Sequence, residues 1–172
     1  MTMIKSLLMT CACSFALSAF AADQTAIDQT VIRVEPSNLH GPRPLDKRTE
    51  TAAIQDYLQA WEALRSALQQ NRADLLDADF VGTAKDKLAG TIQEQARLGM
   101  LTRYQDRAHD IKVTFYSPEG LSIQLVDNVE YDVQVLDHDK VQGTERVHAH
   151  YVAVLTPSEV RWRVRILQAE PQ

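Results

Sequence analysis

From Leu121 through Val135 the chain alternates apolar and polar residues without a break in phase. Leu121, Ile123, Leu125, Asp127, Val129, Tyr131, Val133 and Val135 share one face. Ser122, Gln124, Asn128, Glu130, Asp132 and Gln134 share the other, with Val126 and Leu136 as exceptions. A period of two over this length predicts a long, half-buried β-strand. Shorter alternations flank it. Ile111, Val113 and Phe115 precede it, and Val147, Ala149, Tyr151, Ala153 and Leu155 follow. A last strand points Val160, Trp162, Val164 and Ile166 inward and Arg161, Arg163 and Arg165 outward. The connections at 117–120, 137–140 and 156–159 are short and polar, two of them holding Pro. Short turns of this kind join antiparallel neighbours.

Ahead of the strands the period changes. Ile54, Tyr57, Leu58, Trp61, Leu64 and Leu68 recur at helical spacing, which predicts a helix over 49–70 capped by Asp46 or Thr49. A second helix is expected over 83–98. Thr83 and Asp86 would form its capping box, Leu88, Ile92 and Ala96 its buried stripe, and Gly99 its left-handed stop. Helices first and a meander after predict an α+β domain, with the helices on one face of a curved antiparallel sheet of about four strands. The other face is polar, as an antiparallel sheet allows. This single domain is assigned to 46–172. Residues 22–45, with Pro36, Pro42 and Pro44, form a flexible leader in which Val31–Val34 either adds an edge strand or stays unordered.

The first segment stands apart. Lys5 is the only charge before Asp23, an apolar run follows, and Ala19-Phe20-Ala21 ends it. A basic start, a short apolar centre and a small-x-small end predict a signal peptide over 1–21, and hence a periplasmic or secreted protein. An uncleaved anchor is the alternative, and no basic stop-transfer residues support it. Both cysteines, Cys11 and Cys13, lie in this segment, so the processed chain has no thiol chemistry. Lipidation at Cys13 is a further alternative, although Thr10-Cys11-Ala12 departs from the usual Leu-small-small approach. No second apolar run reaches spanning length, so no membrane span is expected after processing. A net charge of −5 argues against a nucleic-acid partner.

The order of elements carries a resemblance. A Trp-containing helix (YLQAWEALRSALQQ), a short turn (NRADLLDADF), a second helix and a long meander ending in RWRVRIL resemble the nuclear transport factor 2-like, or cystatin-like cone, superfamily. The resemblance covers roughly 49–168 and rests on pattern rather than on a catalytic motif. That superfamily often has a third helix where 72–80 has room for one turn. The resemblance implies a cone whose interior opens into a pocket, and ketosteroid-isomerase-like and polyketide-cyclase-like enzymes among its members. It also implies a possible homodimer through the open sheet face.

Asp127 is the residue where these expectations meet. Parity turns it inward, and a buried carboxylate has the raised pKa that a general base needs. Tyr57, Trp61, Tyr131, Tyr151 and Trp162 would line the pocket beside it. Two structural readings compete: a bulge that turns Asp127 outward, or a polar partner at the cone mouth. His148 and His150, with His138 nearby, share an outward face, as zinc ligands do, but nothing fixes a third ligand. Asp106 and His109 make a similar loose pair, read as solvent-facing. The arginine stripe is read as pairing across strands with Glu130, Asp132, Glu145, His148 and His150. GxSxG, HExxH, GxGxxG and P-loop patterns are absent from the sequence. The expected function is therefore an exported binding module for a small apolar ligand or a protein, without catalysis, cofactor or metal. The alternative is an enzyme using Asp127 as acid and base.

Overall fold

The computed structural model describes residues 29–37, 39, 41–138 and 140–170. The segment expected to be a signal peptide, with Cys11 and Cys13, and the start of the expected leader lie outside the described residues. The element order is β1 (Val31–Glu35), α1 (Lys47–Gln70), a 3₁₀ turn (Ala73–Leu76), α2 (Gly82–Arg97), β2 (Met100–Tyr116), β3 (Ile123–Asp137), β4 (Lys140–Pro157) and β5 (Trp162–Glu170). The strands form one sheet in the order β1-β2-β3-β4-β5. Neighbours are antiparallel except β1, which runs parallel to β2. This is the α+β arrangement expected, with five strands instead of four, because Val31–Glu35 adds an edge strand.

α1 begins where Asp46 accepts hydrogen bonds from the Thr49 N–H at 3.0 Å and the Thr49 hydroxyl at 2.7 Å. It ends at Asn71, in the left-handed conformation. Ile54, Tyr57, Trp61, Leu64 and Leu68 are buried against the sheet, and Leu58 is half-buried. Ala53, Ala60 and Ala67, seven apart, are buried with them and let the helix approach closely. α2 starts one residue earlier than expected. Val81 is its N-cap and no side chain caps it, so the Thr83–Asp86 box does not form. Its buried residues are Ala84, Ile92 and Gln95, while Ala96 is exposed. Gln95 explains the rotation. Its amide N–H groups donate to Leu68 O and Asn71 Oδ1, both at 2.6 Å, and its oxygen accepts from the Thr102 hydroxyl at 2.9 Å. That clamp binds α2 to the end of α1 and the start of β2.

Extra residues interrupt every strand of the meander except β3. Arg107 and Thr114 are unpaired in β2, Gln142 in β4 and Arg165 in β5. Each such bulge resets which residues face inward and bends the strand. The Thr114 bulge turns Phe115 outward, 47% exposed, and Tyr116 inward. The Arg165 bulge turns Ile166 outward, 40% exposed, and seats Leu167 against the core. Val160 lies in the turn before β5 and is exposed, and Leu121 likewise precedes β3. β3 has no extra residue of its own, and its inward row follows the parity of the sequence from Ile123 to Tyr131; at its far end Leu136, outward by parity, is buried instead of Val135.

The arginines of β5 do not form a cross-strand stripe. Arg161 pairs with Asp79 at 2.7 Å and Arg163 donates to Phe80 O at 3.0 Å. Segment 79–81 runs beside β5: the Val81 N–H reaches Val164 O at 2.9 Å, and the Val164 N–H reaches Asp79 O at 2.8 Å. Of the carboxylates expected to pair with β5, Glu130 and Asp132 are served by β4 and β2. Asp132 binds Arg146 and Arg107, which hold its carboxyl down at about 2. Among the described residues, no helix is long and apolar enough to cross a membrane.

Candidate functional site

Asp127 sits at the middle of β3, paired with Ile111 of β2 and Tyr151 of β4. It is fully buried. The bulge that would have turned it outward does not occur, because the extra residues lie in the neighbouring strands. Its Oδ2 accepts from the Tyr57 hydroxyl at 3.0 Å and from His109 Nδ1 at 2.7 Å. Tyr57 comes from the centre of α1 and His109 from β2, so the carboxylate ties the helix to the sheet.

His109 and Asp106 are both buried, contrary to the solvent-facing reading. Residues three apart on a regular strand point to opposite faces. The Arg107 bulge between them brings both inward. His109 Nε2 then lies 3.8 Å from Asp106 Oδ2, and Arg65 of α1 reaches the same oxygen at 3.3 Å. Arg65 also binds Glu62 at 2.6 Å. A row of alternating charge thus runs from the core outward: Asp127, His109, Asp106, Arg65. Burial pulls the His109 pKa down, but the carboxylates of Asp106 and Asp127 outweigh it and raise it to about 9. The imidazole is therefore a cation at neutral pH. Burial, and then the Asp127 charge, push the Tyr57 hydroxyl well up.

Trp61 packs at the centre of this network. Its ring meets His109 at 5.5 Å, Tyr151 at 5.2 Å, and Tyr57 and Tyr131 at 6.4 Å each. The first two contacts are edge-on, a favoured aromatic geometry. Tyr131 and Tyr151 bring their hydroxyls to 3.4 Å. Tyr104, stacked edge-on Tyr131 at 5.1 Å, was not singled out by the sequence; burial pushes its hydroxyl up to about 12. Five of the expected lining residues, Tyr57, Trp61, Asp127, Tyr131 and Tyr151, are thus brought together. Trp162 is not. It is half-buried at the start of β5, with its N–H bonded to Asp56 at 2.8 Å.

The interior of the cone is filled by these rings and by Leu76, Phe80, Ile92 and Ile123. Open space lies beside it instead. A cleft of about 280 Å³ runs between α1 and β1, lined by Thr30, Ile32, Leu58, Trp61, Arg65 and Asp106 among others, with His109 at its floor. Two polar atoms of its lining residues, Asp106 Oδ1 and the Trp61 indole N–H, have no hydrogen-bond partner among the described residues, and neither does Asp127 Oδ1 in the core. On the outer face His150 bonds Asn128 at 2.8 Å. Among the described residues, no three His, Cys, Asp or Glu side chains converge on a metal position.

No family model and no curated protein matches the chain. Solved structures do. The intermembrane space region of chloroplast protein ARC6 superposes with a TM-score of 0.60 at 15% identity, over 76% of this chain and 100% of that one. A scytalone dehydratase-like protein from Novosphingobium aromaticivorans gives 0.51 at 13% identity, over 73% and 89%. The fold is the nuclear transport factor 2-like, or cystatin-like, cone. At such identities the likeness carries the cone's architecture and no activity.

Proposed function

We propose that the protein is an exported, non-catalytic binding module that takes a small ligand in the cleft between α1 and β1. The observation that carries this reading is the state of Asp127. The carboxylate that would act as base has no exposure and already holds Tyr57 and His109. A general base must reach the proton it removes and be free to accept it. His109, a cation at neutral pH, is not free to accept a proton either. The cleft, by contrast, is open, and its apolar walls, Ile32 and Leu58, meet the charged floor of Asp106 and His109. Its volume is near the lower end of ligand pockets, which run about 300–1,000 Å³, so it suits a small molecule. Export through residues 1–21, to the periplasm or the outside, belongs to the same reading. So does self-association through the sheet. The outer face is already laced by the Arg107–Asp132–Arg146 pairs, which leaves the sheet's edges as candidates.

Native mass spectrometry of the exported protein tests the ligand. A retained small molecule, lost when Gln59→Trp fills the cleft, is the expected result. A protein that carries nothing and gains no ligand from a soluble extract of its host overturns it. The linked Tyr57–Asp127–His109 row favours one second reading, an enzyme of the ketosteroid-isomerase or polyketide-cyclase type with Asp127 as acid and base. Under that reading Asp127→Asn lowers turnover by about 10²–10⁴-fold with the fold intact.

A further inference from the structure

The sheet's two edges are finished differently. Beyond β5, segment 79–81 takes up backbone groups of Val164, and Arg161 and Arg163 fasten that segment down. Beyond β1 there is no such cover: among the described residues, β1 has backbone partners only in β2. All five of its residues are exposed, with Val31 at 48%, Ile32 at 49% and Val34 at 41%. An edge with free N–H and C=O groups and apolar side chains is a template for another strand. Two common defences are missing inside it: it is short and carries Arg33 and Glu35, but it contains no Pro and no inward-pointing charge.

We propose that β1 pairs antiparallel with β1 of a second copy, about a twofold axis through Val34. Side-chain parity and charge fix that register. Val31, Arg33 and Glu35 lie opposite Ala108, Asp110 and Lys112, on the outer face, while Ile32 and Val34 lie opposite the inward His109 and Ile111. Opposed residues of an antiparallel pair share a face. The axis must therefore pass through a residue rather than between two. An axis at Arg33 sets two arginines against each other. An axis at Val34 sets Arg33 opposite the partner's Glu35 and Glu35 opposite the partner's Arg33. Both side chains remain 60% exposed beside their own partners, Asp110 and Lys112, so both can reach across. On the inner face Val34 meets the partner's Val34, and Ile32 meets the partner's Pro36. Pro36 has no N–H to give, so the ladder stops there at each end.

The axis stands perpendicular to the sheet, so both α1 helices lie on one side of a continuous ten-stranded sheet. The partner's β1 then runs along the open flank of the cleft that Ile32 lines. Each cleft gains a wall from the other copy. The dimer stands or falls independently of any ligand in that cleft.

Sedimentation equilibrium of protein purified after expression of the full chain tests this, up to millimolar concentration. Two chains per particle are expected for the natural sequence. Arg33→Glu alone sets like charges opposite at both seam positions, as does Glu35→Arg alone, and each should sediment as one chain. An equimolar mixture of these two variants restores opposite charges at both positions and should sediment as two chains. Recovery in the mixture also shows that both variants are folded. Val34→Lys, which sets two ammonium groups together on the axis, should also give one chain. A natural protein that stays single at every concentration overturns the proposal, and so does a dimer that all three variants retain.

Discussion

His109 is a buried cation held between two carboxylates, and this ties stability to pH. In the unfolded chain it titrates near 6.5, and in the folded protein near 9. The folded form binds the proton more tightly, so its contribution is complete below pH 6.5. It declines as pH rises from 6.5 to about 9, and is absent above. Urea unfolding at a series of pH values should show stability falling across that window. Asp127→Asn removes the nearer carboxylate and should flatten the slope. It should also cost about 3–5 kcal/mol, since one partner of a buried pair is lost. An unchanged slope in Asp127→Asn would place the titration elsewhere. The sequence made half of this pair legible. Parity brought Asp127 inward because β3 carries no bulge. His109 and Asp106 stayed hidden because Arg107 is an extra residue, and nothing in the local sequence marks it as one.

At the scale of elements the two tryptophans separate. Trp61 is only 4% exposed and stands among four rings, while Trp162 is half-buried at a strand start. Trp61→Ala should cost about 3–5 kcal/mol in chemical denaturation. Trp162→Ala should cost roughly 1–2 kcal/mol, because less apolar area leaves water in the first place. Equal losses would mean that the start of β5 is packed more deeply than its exposure indicates. Helix α1 was legible because its stripe is long and its cap local. Replacing Asp46 with Ala should remove about 0.5–2 kcal/mol through the lost bonds to Thr49. The phase of α2 was not legible, because a buried Gln95, serving three partners, replaces the apolar residue that periodicity looks for. Strand β5 misled for the reason β2 did: past Arg165 its inward and outward residues change places.

For the whole molecule, the fold class followed from segregation of the two periods, helices first and strands after. The parallel placement of β1 did not, since it depends on the chain returning to β2 after both helices. The protein recovered outside the inner membrane of a Gram-negative host should begin at Ala22, as Edman sequencing would read. Met1 on that form would remove the signal peptide from the reading. One consequence of the bulges remains. A strand has a reading frame of two, and the residue at Arg107 acts as a frameshift within it. Asp106 is in frame with the stretch before it, His109 with the stretch after, and only the insertion lets both be read on the inside. A single deletion there would alter no side chain of the network, yet it would turn one half of β2 inside out. Substitution at this position is a local event, whereas deletion rewrites the whole face.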